Sequence, residues 1–140
     1  MGFSQHGTFE VYVEGRILYE QVAYPINMET FRRMVADTWA IMRDLIDTGP
    51  WGMIVTISGE PRPPADVAQA YAELGRDAAR NKNRAGLAYV LTDDLPAADF
   101  ARNFYRRICA KTLVPQCVFA TQAEAEAWIA ERLAAANAEL

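Results

Sequence analysis

The chain has 140 residues, 51% of them apolar and 23% charged, with a net charge of −4. That is enough chain for one domain with its own core, and the acidic balance argues against non-specific nucleic-acid binding. No apolar run approaches the roughly 20 residues that cross a bilayer, so no membrane insertion is expected.

The start, Met1-Gly2-Phe3-Ser4-Gln5-His6, has neither the basic nor the apolar region of a signal peptide, and it does not complete a myristoylation signal. A cytoplasmic location is the expectation. The cysteines are Cys109 and Cys117, with no C-x-x-C pair, and a single histidine is too few for a common zinc site. They read as reduced thiols, and nothing demands a bridge between them.

Gly7 to Tyr24 has the pattern of a β-hairpin. Phe9, Val11 and Val13 alternate with Glu10, Tyr12 and Glu14, and a second alternating run, Ile17 to Val22, follows Gly15. Charge on one face of the first run marks it as an edge strand. Pro25-Ile26-Asn27 ends the hairpin. Asn27 is a good N-cap, and Phe31, Met34, Val35, Trp39, Met42, Leu45 and Ile46 form one stripe of a helix from Met28 to Asp47. Trp39 and Met42 share that stripe, so they read as core rather than as a ligand box. Gly49-Pro50 stops the helix.

Trp51 to Gly59 is a continuous apolar run, the pattern of a strand buried on both faces. After the stiff loop Glu60-Pro61-Arg62-Pro63, Pro64 opens a second helix whose buried side is Val67, Tyr71, Leu74 and Ala78, ending at Asn81-Lys82-Asn83. Leu87 to Leu91 is a second buried strand. Asp93-Asp94-Leu95-Pro96 leads into a third helix, with Phe100, Phe104 and Ile108 four apart. Cys117-Val118-Phe119 is a short last strand. Thr121 and Glu124 form a capping box for a final helix, which docks through Ala125, Trp128, Ile129 and Leu133 and carries an alanine-rich tail expected to fray.

The expected fold is therefore α/β, a mixed and mostly parallel sheet of about five strands with four helices in the order β-β-α-β-α-β-α-β-α. It forms a single domain over residues 1–140, with an ordered core at about 8–133.

Four features carry a resemblance. They are the hairpin ending in Tyr24-Pro25-Ile26-Asn27-Met28-Glu29, the long helix closed by Gly49-Pro50-Trp51 into Met53–Ile57, the strand Gly86-Leu87-Ala88-Tyr89-Val90, and the finish from Val118 through Thr121 and Glu124 to Trp128-Ile129. In this order they resemble the SpoIIAA-like family, within the superfamily of STAS domains (sulfate transporter and anti-sigma-factor antagonist) and SEC14-like domains. The resemblance covers roughly Thr8 to Leu133 and implies a STAS/SpoIIAA-like fold. It also implies a phospho-acceptor serine after the central strand. The matching position is Ser58, but the family's Asp and Leu-Gly are missing, and Glu60 to Pro64 separate Ser58 from the next helix. The competing reading of Ser58-Gly59 is a strand-ending turn.

No catalytic constellation stands out. His6, the lone histidine, reads as a surface residue on the N-terminal arm, and no glycine-rich phosphate loop or nucleophile elbow is present. Asp93-Asp94 reads as helix-start chemistry. No metal or cofactor is implied. Arg76, Arg80, Lys82 and Arg84, and on the third helix Arg102, Arg106, Arg107 and Lys111, are either solvated helix ends or a positive patch for an acidic surface or anionic head group. Tyr71, Tyr89, Phe100, Phe104 and Tyr105 would line a cavity if one opens between the second and third helices; core filling is the competing reading. The leading expectation is a non-enzymatic regulatory or protein-interaction domain, a homodimer that engages a protein partner. The first alternative is a binder of a small hydrophobic or anionic ligand in the SEC14-like manner, and the second is an enzyme.

Overall fold

The computed structural model describes residues 8–59, 63–92, 94–95, 98–109 and 114–140, without the side chains of Thr8, Ile108 and Cys109. The readings made for His6, for the loop at Glu60–Arg62, for Asp93, Pro96 and Lys111, and for the Ile108 and Cys109 side chains fall outside the described residues.

Gly15, at φ +61°, turns the chain between β1 (Thr8–Glu14) and β2 (Ile17–Tyr24), which pair antiparallel. The neighbouring Arg16 reaches away from the hairpin. Its guanidinium donates to the carbonyls of Leu45, Gly49 and Pro50 and to Thr48 Oγ1, at 2.7–3.0 Å. These acceptors include the end of α1 (Met28–Ile46), so one side chain ties the hairpin turn to the helix C-terminus. At the other end of α1, Asn27 Oδ1 accepts from the Thr30 N–H at 2.8 Å. Phe31, Met34, Met42, Leu45 and Ile46 are buried along the expected stripe, and Val35 and Trp39 lie half-buried at its margin.

The sheet runs β1-β2-β3-β4-β5 in strict sequence order, with β3 (Trp51–Gly59), β4 (Arg84–Leu91) and β5 (Gln116–Phe119). From β2 onward all neighbours are parallel. Right-handed crossovers between sequential parallel strands put their helices on one face. Accordingly α1, α2 (Ala65–Gly75) and α4 (Ala98–Cys109) share one core with the sheet. Among the described residues, only α5 (Gln122–Ala138), which follows the last strand, covers the other face. The middle of β3 is buried by both layers, as its unalternating run requires.

The seat of α5 is paved with glycine. Gly52 and Gly86 are register partners on β3 and β4. A Cβ on Gly52 would lie 2.6 Å from Ile129 Cγ2, and one on Gly86 would lie 3.0 Å from Trp128 Cζ3. Ala125 and Ile129 are fully buried there, which for the isoleucine stabilises the fold by about 1.5–3 kcal/mol. Thr121 caps the helix by accepting from the Glu124 N–H at 3.2 Å.

Four expectations need correction. The second helix is not continuous to Asn81: it ends at Gly75, and a one-turn helix, α3 (Ala78–Asn81), follows. Asp77 caps that turn by accepting from the Ala79 and Arg80 N–H groups, and Asn81 Nδ2 donates back to the carbonyls of Leu74, Gly75 and Asp77. Ala78 is therefore exposed instead of buried. Second, β4 starts at Arg84, three residues earlier than its apolar run. Third, α4 docks through Ala101 and Tyr105, leaving Phe100 50% exposed and Phe104 half-buried. Fourth, the alanine-rich tail of α5 stays helical to Ala138, with Glu139 as its C-cap.

Candidate functional site

Strand alternation sends Leu18, Glu20, Val22 and Tyr24 of β2 to the α1 side of the sheet. Glu20 is the exception in chemistry: a carboxylate only 3% exposed among apolar neighbours. Tyr71 of α2 donates to its Oε1 at 2.9 Å, and Thr38 of α1 donates to its Oε2 at 3.1 Å. The carboxylate borders a cavity of about 60 Å³ between α1, α2 and the sheet. Met34, Met42, Met53, Val55 and Leu87 make its apolar wall, and Arg80 and Leu74 stand on the helical side. Arg84, at the start of β4, and Gln116, at the start of β5, complete the lining.

Arg84 is fixed but not fully used. Its guanidinium bonds to Asn81 Oδ1, contacts Met53 Sδ at 3.3 Å, and lies 5.4 Å from the Trp51 ring centre. Its Nε is buried with no hydrogen-bond partner among the described residues, and so is Gln116 Oε1. Arg84 acts on Glu20 across the cavity, beyond ion-pair distance. Arg80 rests over Trp39, 4.8 Å from the ring centre.

Burial dominates the electrostatics. It pushes the Glu20 carboxyl above the ordinary carboxylate value, against the pull of the Tyr71 and Thr38 hydrogen bonds and of the Arg84 charge. Burial also raises Tyr71 well above the usual phenol value, with the nearby Glu20 charge adding to it. The Tyr24 hydroxyl, buried beside those of Tyr71 and Tyr105, is raised for the same reason. Arg84 is lowered to about 10 by its burial and stays charged at neutral pH. The arrangement is thus an apolar pocket holding a carboxyl that can be neutral or charged, a fixed cation, and two unspent polar atoms. Such a pocket fits a small molecule with an apolar body and one polar end.

A solved structure of an uncharacterised DUF3478-family protein from Shewanella loihica PV-4, described as having a SpoIIAA-like fold, superposes on this chain. The TM-score is 0.62 at 13% identity, over 92% of this chain and 99% of that one. The chain has a SpoIIAA-like fold. No family model and no curated protein sequence matches it.

Within this SpoIIAA-like fold the residues singled out from sequence divide in two. Tyr71, Arg80, Arg84 and Tyr89 come together on the cavity. Arg76, exposed at the end of α2, does not join them, and neither do Phe100, Phe104 and Arg107 on α4. The cavity opens against α1, not between α2 and α4, because Ala101 and Tyr105 fill the space under α4. Arg80 and Arg84, each partly buried, line the cavity, while Arg76 and Lys82 of the same basic group are exposed. Ser58 lies exposed at the end of β3, its hydroxyl 3.5 Å from the Val22 carbonyl, and Gly59 follows at φ +78°. The α2 helix begins only at Ala65, so no helix N-terminus opens at Ser58.

Glu20, Thr38 and Gln116 were not singled out. Glu20 and Thr38 did carry a signal: each is a polar residue in phase with a buried apolar set, Leu18 and Val22 for one, Met34 and Met42 for the other. Gln116 gave none. Among the described residues no helix is long and apolar enough to cross a membrane, and no three His, Cys, Asp or Glu side chains gather as metal ligands. Cys117 is a half-buried free thiol on β5.

Proposed function

We propose that the chain is a non-enzymatic, cytoplasmic regulatory domain that binds a small, largely apolar ligand in the cavity beneath α1 and α2. One observation carries this reading: a carboxylate 3% exposed, held by Tyr71 and Thr38, on the wall of a methionine-lined void. A domain built only for stability gains nothing from a desolvated carboxylate beside empty space. Methionine walls adapt to an irregular guest at low cost. Occupancy would stabilise α1 and α2 against the sheet, and a change in those helices is what a protein partner would sense. The homodimer expected from the resemblance belongs to the same proposal, and light scattering after size-exclusion measures it.

The test is ligand-observed NMR against a library of small acids, alcohols and amines. Leu74, half-buried at the helical side of the cavity, is replaced in the variant Leu74→Trp to plug it. Binding to the parent chain that the plugged variant loses supports the proposal. A library without a binder, or binders indifferent to the plug, overturns it.

A further inference from the structure

The hydrogen-bonding capacity left among the residues that line the cavity is unequal. Both oxygens of Glu20 already accept, one from Tyr71 and one from Thr38. The Nε–H of Arg84 is an unspent donor. Gln116 can turn its carboxamide by half a revolution and present its NH₂ instead of the unpartnered oxygen. Two cations, Arg80 and Arg84, border a space that holds one carboxyl. The guest's polar end should therefore accept hydrogen bonds and carry negative charge.

A negative guest meets Glu20 inside the same void. Two carboxylates in one poorly hydrated site do not both stay ionised, so one of them takes a proton. The groups facing Glu20 are Tyr71 from α2, Arg84 and Tyr89 from β4, Tyr24 from its own strand and Arg80 from α3; α1 contributes only the neutral Thr38. Arg84, a lining residue whose guanidinium is charged at neutral pH, remains to meet the guest's charge. Glu20 is held by neutral hydroxyls and is the group that changes state.

We propose that the cavity takes a short-chain organic acid as its carboxylate, against Arg84, and that Glu20 binds one proton from solvent as the acid enters. This rests on the ligand-binding reading above and names its ligand class. The proton becomes an O–H on Glu20 that points at the guest, while the other oxygen continues to accept. Burial already raises the Glu20 pKa in the free protein, and the guest's negative charge pushes it further in the same direction.

Calorimetric titrations of the whole chain with butyrate, butanol and butylammonium test this. Each is run in two buffers of different ionisation enthalpy, at several pH values. Above the pKa of free Glu20, butyrate should bind with uptake of close to one proton and should weaken by about tenfold per pH unit. Arg84→Gln should lose butyrate at least tenfold more than butanol. Glu20→Gln should bind butyrate without proton uptake and without that pH dependence. Preference for butylammonium, or butyrate binding with no proton uptake and no pH dependence across the whole pH series in the parent chain, overturns this inference while the ligand-binding proposal stands. Failure of all three probes overturns both.

Discussion

The two faces of the sheet are packed to different rules. Under the middle of α5 the contact is close: a Cβ on Gly52 would clash with Ile129, one on Gly86 would press on Trp128, and Ile129 and Ala125 are completely buried. Under α1 and α2 the same sheet carries a buried carboxylate beside a void, whereas on the α5 side a void and the Arg132 Nε, unpartnered among the described residues, lie at the C-terminal end of the helix, beyond that close contact. A face that spends backbone clearance on contact holds the domain together, and a face that keeps polar groups and space is free to admit something else. The difference is what directs the proposed ligand to the α1 side of the sheet, without any appeal to a motif.

The largest expected effect lies on the dry face. Ile129→Ala should destabilise the protein by about 2–5 kcal/mol in urea unfolding, because the glycines opposite cannot move in to close the hole. A loss well below that range would mean α5 is only loosely docked, and the contrast between faces would weaken. On the open face, Tyr71→Phe should cost about 1–3 kcal/mol at a pH above the raised Glu20 pKa, since it leaves the buried carboxylate short of a donor. The same substitution should cost less in acid, where Glu20 is neutral.

The third effect is a pH slope. Folding raises the Glu20 pKa, so the folded chain holds its proton more tightly than the unfolded chain does. That contribution to stability is full below the unfolded value, about 4.5, and is lost as pH rises through the folded value. Within that window the parent chain should lose about 1.4 kcal/mol per pH unit relative to Glu20→Gln. Parallel stability curves for the two proteins would show that Glu20 titrates as it does in water. The smallest expected effect serves as a control: Thr121→Ala should remove about 1 kcal/mol through the lost cap, without pH dependence above pH 5 or so.

Much of the frame was legible in the amino-acid sequence, and for physical reasons. An unalternating run such as Trp51–Ile57 has few stable environments other than a strand covered on both sides, and Asn27 and Thr121 are short polar side chains at the helix starts that they cap. The dry face was legible too, since Ala125, Trp128, Ile129 and Leu133 recur at helical spacing. The site was harder to read. Tyr71, Arg80, Arg84 and Tyr89 were in view, but as members of helix ends and core runs, and their convergence depends on the break at Gly75 that redirects the chain through α3. Glu20 shared the phase of Leu18 and Val22, but an acid in a hairpin strand is assigned to solvent by default. The register of β2 against β3, which pairs Glu20 with Val55, reverses that assignment, and register is a tertiary quantity.

The most direct test of the contrast is NMR of the methionine methyls, the Ile129 methyls and the Trp128 indole during titration with butyrate, butanol and butylammonium. Met34, Met42 and Met53 line the cavity, whereas Ile129 and Trp128 report the face under α5. The account predicts that a saturating probe shifts the three methionines and leaves Ile129 and Trp128 in place. Shifts confined to Ile129 and Trp128, or methionines unmoved by every probe, would contradict it.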